Sequence, residues 1–400
     1  VIYKKSRSSY SKNMANIEDY ILWRGDIPFT VSDFNEADAL ILCQLSYIDF
    51  DGIVSENFKS GITIKEAAQK YARRYPKKNP EDFGVFINPR SAQLLEAAGN
   101  SVRFSGIVLK GFVNEIDLKA EKQFSAVTAV LSPKKSCIVY RGTDDTLIGW
   151  KEDFNMAADD PVPSQQAALD YLEKACTHCR GKLYTAGHSK GGNLALYAPA
   201  FCSDKIFKRI ETIFCFDGPG FNKDTCRRGD TARAFAKAQC FVPQSSVVGI
   251  LLEYPKKHTI VQSDAANGVL QHDAFSWQFH GKEFATLSKR GDDSMFAENT
   301  VKTWLEGLDK KARKEFINTL FDAAGAAGAL TLTDLKNRWL QTSAAALKKL
   351  HDTDSKTKER IFDILKLFIK SVQSNMPAIG DLLNAKSGQH EKNKNTGRKK

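Results

Sequence analysis

Residues 183–200, LYTAGHSKGGNLALYAPA, combine two apolar runs with a cluster of glycines around one serine. An apolar run leads into a cluster of glycines, and an alanine- and leucine-rich run follows, so the cluster marks a turn from a strand to a helix. Residues 187–191 match the pattern G-x-S-x-G. Glycines beside the serine permit a strained turn that holds the hydroxyl group clear of a sheet, where bulkier residues would collide with the neighbouring strand or helix. The pattern predicts that Ser189 is a nucleophile.

Strand-like and helical segments alternate around this turn. A helical pattern near residues 164–178 precedes the apolar run KLYTAG, GGNLALYAPAFC precedes IETIFCFDG, and DTARAFAKA precedes QCFVP. The run HTIVQS is one more predicted strand. Strands that alternate with helices indicate a mostly parallel sheet that is covered by helices on both faces. Three earlier apolar runs, from about residue 104 onward, are joined by short loops and could add an antiparallel edge. The predicted fold class is therefore α/β.

The composition changes along the chain predict five regions. Before the sheet the pattern is mostly helical, with Asn35 as a predicted helix cap and Thr63 and Glu66 in a capping-box arrangement. Met14 resembles a natural start. The predicted regions are an upstream extension at 1–13, a mainly helical N-terminal region at 14–103, the α/β core at 104–290, a helical C-terminal region at 291–385 and a basic disordered tail at 386–400.

The charge distribution argues against specific binding of nucleic acid. The formal net charge is +11, but residues 1–13 carry +4 and residues 386–400 carry +5, which leaves +2 for the rest of the chain. Charge that is concentrated in polar tails is typical of solvated segments. A basic stripe across a folded surface, which nucleic-acid binding would require, is not indicated.

The apolar segments and the cysteines indicate the expected compartment. No run approaches 18 apolar residues, so we expect no transmembrane helix, and the N-terminus lacks a run typical of a signal peptide. Eight cysteines occur, several of them in apolar strand-like runs, and we interpret them as reduced, buried thiols. A cytoplasmic protein without a metal or an organic cofactor is expected.

A nucleophilic serine needs a base, and in a fold of this kind the acid and then the histidine follow the elbow along the chain. His272 lies in a loop after the last predicted strand, where the base is expected. His280 is the alternative base. His258 opens an apolar strand, and His351 lies far into the helical C-terminal region, so neither is favoured.

The predicted acid is Asp217, which follows the strand ETIFCF in the turn FDGPGF. The carboxyl end of that strand lies on the same rim of the sheet as the elbow, where open α/β sheets bind their ligands. Asp217 would hold the histidine in one tautomer and stabilise the imidazolium. Asp264 and Glu253, one strand later, are alternative acids.

The negative charge that develops on a substrate oxygen needs hydrogen-bond donors. One predicted donor is the backbone N–H of Lys190, the residue after the nucleophile. The loop in CIVYRGTDDTLIGWKEDF supplies Thr143, whose N–H and hydroxyl could both face that oxygen.

With these motifs assembled, the chain resembles the lipase-like α/β-hydrolases, especially the class 3 lipases, over roughly residues 104–285. The segments YRGTDDTLIGWKEDF and GHSKGGNLA carry the resemblance. It implies an α/β-hydrolase core, Thr143 as a donor to the oxyanion, Ser189 as the nucleophile, and Asp153 as a supporting residue. His188, directly before Ser189, is a further predicted supporting residue. From Met14 onward the chain also looks like an uncharacterised family of bacterial hydrolase-like proteins, a domain of unknown function.

Two departures from the class 3 lipases stand out. Lys190 occupies the position at which those lipases carry leucine. Their acid follows a later strand, where this chain has FVPQSSVVG without a carboxylate. The turn FDGPGF instead looks like the LDPAGP segment of pancreatic-type lipases, in which the aspartate is the acid, and this likeness favours Asp217.

The sequence predicts a serine esterase or lipase-like hydrolase that acts on a small-molecule ester or a lipid through an acyl-enzyme. The same three residues would also serve an acyltransferase or a thioesterase, in which only the acceptor or the leaving group differs. A hydrolase fold that works as a non-catalytic binding or scaffold module is the alternative from another class, because a fold alone does not establish an activity. The oligomeric state stays open.

Overall fold

The computed structural model describes residues 15–76, 88–144, 146–228, 230–249, 251–266 and 268–326, together with Thr331, Glu359 and Asp363. The predicted upstream extension at 1–13 and the predicted tail at 386–400 lie outside the described residues, as does most of the predicted helical region beyond residue 326.

The strands are β1 (Ile62–Thr63), β2 (Val108–Asp117), β3 (Lys122–Ser132), β4 (Lys135–Tyr140), β5 (Lys182–His188), β6 (Ile210–Phe216), β7 (Ala238–Pro243), β8 (Thr259–Val261), β9 (Phe279–His280), β10 (Glu283–Phe284) and β11 (Thr286–Leu287). Within the described ranges, nine of them form one sheet in the order β1-β2-β3-β4-β5-β6-β7-β8-β11, and β9 pairs with β10 separately.

Strands β4 to β8 are parallel and form the centre of the sheet. On one side, β1 to β4 are antiparallel, which is the edge that the short loops between the early apolar runs predict. On the other side, β11 adds an antiparallel strand that sequence reasoning missed, because two residues are too few to show a pattern.

The helices are α1 (Ile17–Arg24), α2 (Glu36–Leu45), α3 (Ile64–Arg74), α4 (Arg90–Asn100), α5 (Leu147–Asn155), α6 (Pro163–His178), α7 (Lys190–Phe201), α8 (Asp204–Phe207), α9 (Lys223–Arg227), α10 (Thr231–Lys237), α11 (Gly268–Gln271), α12 (Asp292–Glu306) and α13 (Lys310–Ala326). In the part of the chain that the structure describes, none of the helices has the length and apolar character needed to cross a bilayer.

Two apolar cores lie on opposite faces of the sheet. Along β4, Cys137 and Val139 join one core, whereas Ile138 and Tyr140 join the other, as the alternation of side chains along a strand requires. The first core contains residues of α1, α2 and α4, and the second contains residues of α6 and α7. The predicted α/β class, with a parallel sheet covered by helices on both faces, is confirmed.

Two of the N-terminal helices, α2 and α3, begin at the predicted caps and contribute to one layer of the core. Asn35 caps α2 in a capping box with Asp38, and Thr63 and Glu66 form the predicted capping box of α3. Asp38 then pairs with Arg103 across 2.5 Å, and both side chains are fully buried. This ion pair joins α2 to the segment that enters β2.

Candidate active site

Ser189 sits in the turn between β5 and α7 with a strained backbone. Its φ of 59° and ψ of −133° lie in a region that residues with a side chain rarely adopt. The Ser189 N–H donates to the carbonyl of Phe216 at the end of β6, across 3.0 Å, and the Ser189 carbonyl accepts from Gly192, across 2.8 Å. The residue is half-buried and directly follows the carboxyl end of β5.

The glycines of the elbow are required by close backbone contacts. A Cβ atom at Gly187 would lie 1.9 Å from the carbonyl oxygen of Gly191. A Cβ atom at Gly191 would lie 2.1 Å from the carbonyl oxygen of Tyr140, at the end of β4. Both distances are far inside van der Waals contact, so the turn can form only with glycine at these two positions.

Asp217 follows β6 and is fully buried. Its Oδ1 accepts hydrogen bonds from the hydroxyl of Ser246, across 2.5 Å, and from the N–H of Gly249, across 3.0 Å. Its Oδ2 lies 2.6 Å from Nδ1 of His272. The carboxylate is therefore fixed on one oxygen and faces the imidazole with the other.

His272 follows α11 and is mostly buried, with 15% of its side chain exposed. The contact with Asp217 places the proton of a neutral imidazole on Nδ1, which leaves Nε2 with a lone pair. The centre of this ring lies 4.7 Å from the centre of the ring of His188, the residue before Ser189. Ser189 and His272 are both among the described residues, and Ser189 Oγ forms no hydrogen bond with His272. Hydrogen bonds between catalytic residues often tighten only around a bound substrate.

The alternative acids and base stand apart from this arrangement. Asp264 and Glu253 are exposed, and Nδ1 of His272 is already bonded to Asp217. His280 lies on β9, is exposed, and faces Glu283 across the β9–β10 ladder. Of the candidates named from the sequence, the structure brings Asp217 to His272 and His272 to the elbow.

Thr143 lies in the loop between β4 and α5, buried beside the elbow. Its hydroxyl donates to Oδ2 of Asp153 on α5, across 2.5 Å. The hydroxyl proton is therefore directed at this carboxylate, and a role of the hydroxyl as a donor to a substrate oxygen stays a prediction. The backbone N–H of Thr143 stays the predicted donor. Burial raises the pKa of Asp153 to about 6, against the opposing charge of Lys190.

The side chain of Lys190 turns away from the site into the core, where it is only 1% exposed. Its ammonium group donates to two oxygens of Gln123 on β3, the backbone carbonyl across 2.8 Å and Oε1 across 2.7 Å. It also lies 3.1 Å from Oε2 of Glu152 and 3.7 Å from Oδ1 of Asp153. The lysine that replaces the usual leucine is thus a buried, multiply paired cation.

A sequence profile of the family described as Mbeg1-like matches residues 98–322, more than half of the chain. The chain belongs to the Mbeg1-like family. It is also similar to a solved structure described as the crystal structure of M37 lipase, at 15% sequence identity and a TM-score of 0.34, over 54% of this chain and 70% of that one. No curated protein matches the chain.

The segment matched to the Mbeg1-like family contains Ser189, Asp217 and His272, but a further residue reaches the elbow from outside it. Tyr47, just after α2, places its hydroxyl 3.3 Å from Nδ1 of His188. Nε2 of His188 lies 2.8 Å from the carbonyl oxygen of His272, which can only accept, so Nε2 carries the proton and Tyr47 donates to Nδ1. Burial lowers the pKa of His188 to about 3, with the charge of His272 as a second cause.

Tyr47 also explains a glycine of this Mbeg1-like chain. A Cβ atom at Gly142 would lie 2.1 Å from the Tyr47 hydroxyl oxygen and 3.0 Å from Cβ of Ser189. The tyrosine hydroxyl therefore occupies the space between the Thr143 loop and Ser189. Sequence reasoning missed Tyr47, because a tyrosine after a helix carries no local signal of a contact 141 residues away.

A cavity of about 700 Å³ lies between α12, the start of α13 and the loops after β6 and β7. Its apolar lining includes Phe221, Leu251 and Leu305, and Arg290 and Arg313 border it. Within the described residues its walls include neither Ser189 nor His272. The location of the candidate active site therefore follows from side-chain geometry rather than from the size of this cavity.

Proposed function

We propose that this protein is a serine hydrolase that cleaves a carboxylic ester through an acyl-enzyme, with Ser189, His272 and Asp217 as its catalytic residues. The observation that carries the proposal is the contact of 2.6 Å between His272 Nδ1 and a carboxylate that is buried and fixed on its other oxygen. A strained serine in a strand-to-helix turn lies beside this pair. Membership of the Mbeg1-like family and the lipase-like motifs are consistent with this chemistry.

In the acylation step, Nε2 of His272 takes the proton of the Ser189 hydroxyl as the oxygen attacks the ester carbonyl carbon. The alcohol then leaves with that proton, and the acyl group stays on Ser189. Asp217 holds the Nδ1 proton and stabilises the imidazolium while it exists. In deacylation, His272 activates a water molecule in the same way and the carboxylic acid is released.

The oxyanion of each tetrahedral intermediate would be held by backbone N–H groups of Lys190 and Thr143. Lys190 is the first residue of α7, so its N–H also lies at the positive end of the helix dipole. Loss of one such donor costs about 10²–10³-fold in the rate of catalysis in comparable enzymes. Two backbone donors suffice for the proposal, since the Thr143 hydroxyl is occupied by Asp153.

The direct test is labelling of the purified full-length protein by a fluorophosphonate probe, which reacts with activated serines. We expect labelling of the wild type and its loss in Ser189→Ala and His272→Ala. The matched controls are Ser60→Ala and His280→Ala, at exposed positions, which should label as the wild type does. Folded wild-type protein that does not react would contradict the proposal and favour the binding-module alternative.

A series of p-nitrophenyl esters of increasing acyl length then tests the ester specificity of labelled protein. Hydrolysis that depends on Ser189 supports the esterase. Transfer of the acyl group to an added alcohol or thiol in place of water, measured by product analysis, would instead identify an acyltransferase that uses the same residues.

A further inference from the structure

The side chain of Lys190 is the feature of the elbow that the proposed reaction does not use. A lysine ammonium group is costly to bury unless several acceptors surround it. Here the acceptors come from two different elements, Gln123 on β3 and Glu152 on α5, while Lys190 itself opens α7. The lysine therefore links three elements directly behind the nucleophile.

Glu152 extends this link. Its Oε2 also accepts from the backbone N–H of Gln123, across 3.0 Å, and its Oε1 accepts from the N–H of Ser164 at the start of α6, across 2.7 Å. Glu152 is fully buried, so both of its oxygens are held by these donors and by Lys190. The position of α5 relative to the elbow is thereby fixed by charge-assisted hydrogen bonds, which are stronger than neutral ones.

Asp153, the next residue on α5, connects the lysine to the oxyanion loop. Its Oδ1 faces Lys190 Nζ at 3.7 Å, and its Oδ2 accepts the proton of the Thr143 hydroxyl. Resting on the proposed function, we propose that Lys190 is a positioning residue, which holds Thr143 through Asp153 so that the backbone donors of Thr143 and Lys190 face one substrate oxygen. One residue would then supply one donor and place the other.

The charges around Asp153 make this arrangement depend on Lys190. The groups around Asp153 come from several elements. They are Lys190 on α7, Thr143 and Asp144 in the preceding loop, Glu152 on the same helix, and Tyr47 in the N-terminal region. Burial and the two acidic neighbours raise its pKa, and Lys190 is the largest opposing influence. Without the lysine, the carboxyl group would keep its proton to higher pH and would no longer be an obligate acceptor for Thr143.

The test compares Lys190→Met with Lys182→Met in the full-length protein. Lys182 opens β5 and is 61% exposed, so it controls for the loss of a lysine from the same segment. Two quantities are measured: amide hydrogen exchange of residues 141–144, and the rate of fluorophosphonate labelling. We expect faster exchange in this loop and labelling that is roughly 10–100-fold slower in Lys190→Met, because small displacements of donors are costly. Lys182→Met should match the wild type in both.

Asp153→Asn and the double variant with Lys190→Met show whether the lysine acts through the aspartate. If it does, the double variant labels no more slowly than the slower single variant, to within about twofold, whereas independent effects multiply. A multiplied loss would overturn the proposed route. If Lys190→Met does not fold, it is combined with Glu152→Gln, so that one buried charge of each sign is removed. This double variant is then measured in the same way.

The two readouts separate this proposal from the proposed function. If folded Lys190→Met shows unchanged amide exchange in residues 141–144, the positioning role is overturned. This holds whether or not the protein reacts with the fluorophosphonate probe. If the wild-type protein does not react with the probe, the proposed serine hydrolase is contradicted. Faster amide exchange of residues 141–144 in Lys190→Met would then still support the positioning of this loop by Lys190.

Discussion

His188 precedes Ser189 and is neutral because it is buried between Tyr47 and the backbone of His272. Its Nε2–H donates to the carbonyl of His272, so it supports the residue that carries the proposed base. Burial also raises the pKa of the Tyr47 phenol, which therefore keeps the proton that it donates to His188. Tyr47, His188 and the carbonyl group of His272 thus form a chain of neutral hydrogen-bonding groups next to Ser189.

The first prediction concerns pH. The folded protein resists protonation of His188 down to a pKa of about 3, whereas the unfolded chain takes up that proton near pH 6.5. Stability should therefore fall as the pH falls through this window. Relative to His188→Gln, the wild type should lose about 2–3 kcal/mol of unfolding free energy between about pH 7 and about pH 4.5. Urea unfolding at several pH values measures the difference, and a pH-independent difference would contradict the assignment.

The second prediction concerns Tyr47. Tyr47→Phe removes the donor to His188 and leaves Nδ1 unsatisfied in a buried position, which should cost about 1–3 kcal/mol of unfolding free energy. Tyr75→Phe is the control, since its hydroxyl bonds to Asp49 near the surface. Urea unfolding at neutral pH compares the two variants. Equal losses would show that the Tyr47–His188 contact contributes nothing specific.

Among the elements, the β5–α7 elbow shows what a local pattern can predict. The glycines, the serine and the flanking apolar runs lie within one short stretch, and the turn they predict is the one observed. The partners of Lys190 lie 38 and 67 residues away, on α5 and β3, so no local pattern could indicate them. The lysine in this apolar stretch indicated only a departure from the lipases that the chain resembles.

The third prediction tests the elbow itself. Gly191→Ala would place a Cβ atom 2.1 Å from the carbonyl oxygen of Tyr140, so the turn must open. We expect a loss of about 3 kcal/mol or more of stability, together with the loss of fluorophosphonate labelling. Gly106→Ala is the control, because no atom lies within 4 Å of a Cβ atom there. Thermal unfolding that is the same for both variants would contradict the close contact.

For the whole molecule, the N-terminal helices contribute to the apolar core on one face of the sheet. The sequence predicts a helical region at 14–103 but contains no signal of which face it covers, because that depends on contacts between distant segments. In the structure, α1, α2 and α4 contribute to the apolar core on one face of the sheet. The buried Asp38–Arg103 pair lies within this layer. Tyr47 lies just after α2, one of the helices of the layer.

The fourth prediction tests that integration. Arg103→Met leaves Asp38 buried without its counter-charge, and we expect a loss of about 3–5 kcal/mol of unfolding free energy. Lys122→Met, which breaks the partly exposed pair with Glu115, should cost less than about 1 kcal/mol. Both are measured by urea unfolding. A small loss in Arg103→Met would indicate that the N-terminal layer contributes little to the stability of the core.

The central claim is that Asp217, His272 and Ser189 act together, and the labelling rate of Asp217→Asn tests it most directly. An asparagine keeps the shape of the side chain but no longer holds the imidazole in the required tautomer, so we expect labelling at Ser189 to slow by about 10³–10⁴-fold. Asp264→Asn, at the exposed alternative acid, should label at the wild-type rate. Wild-type labelling in Asp217→Asn, or a probe adduct that mass spectrometry finds on a residue other than Ser189, would contradict the account.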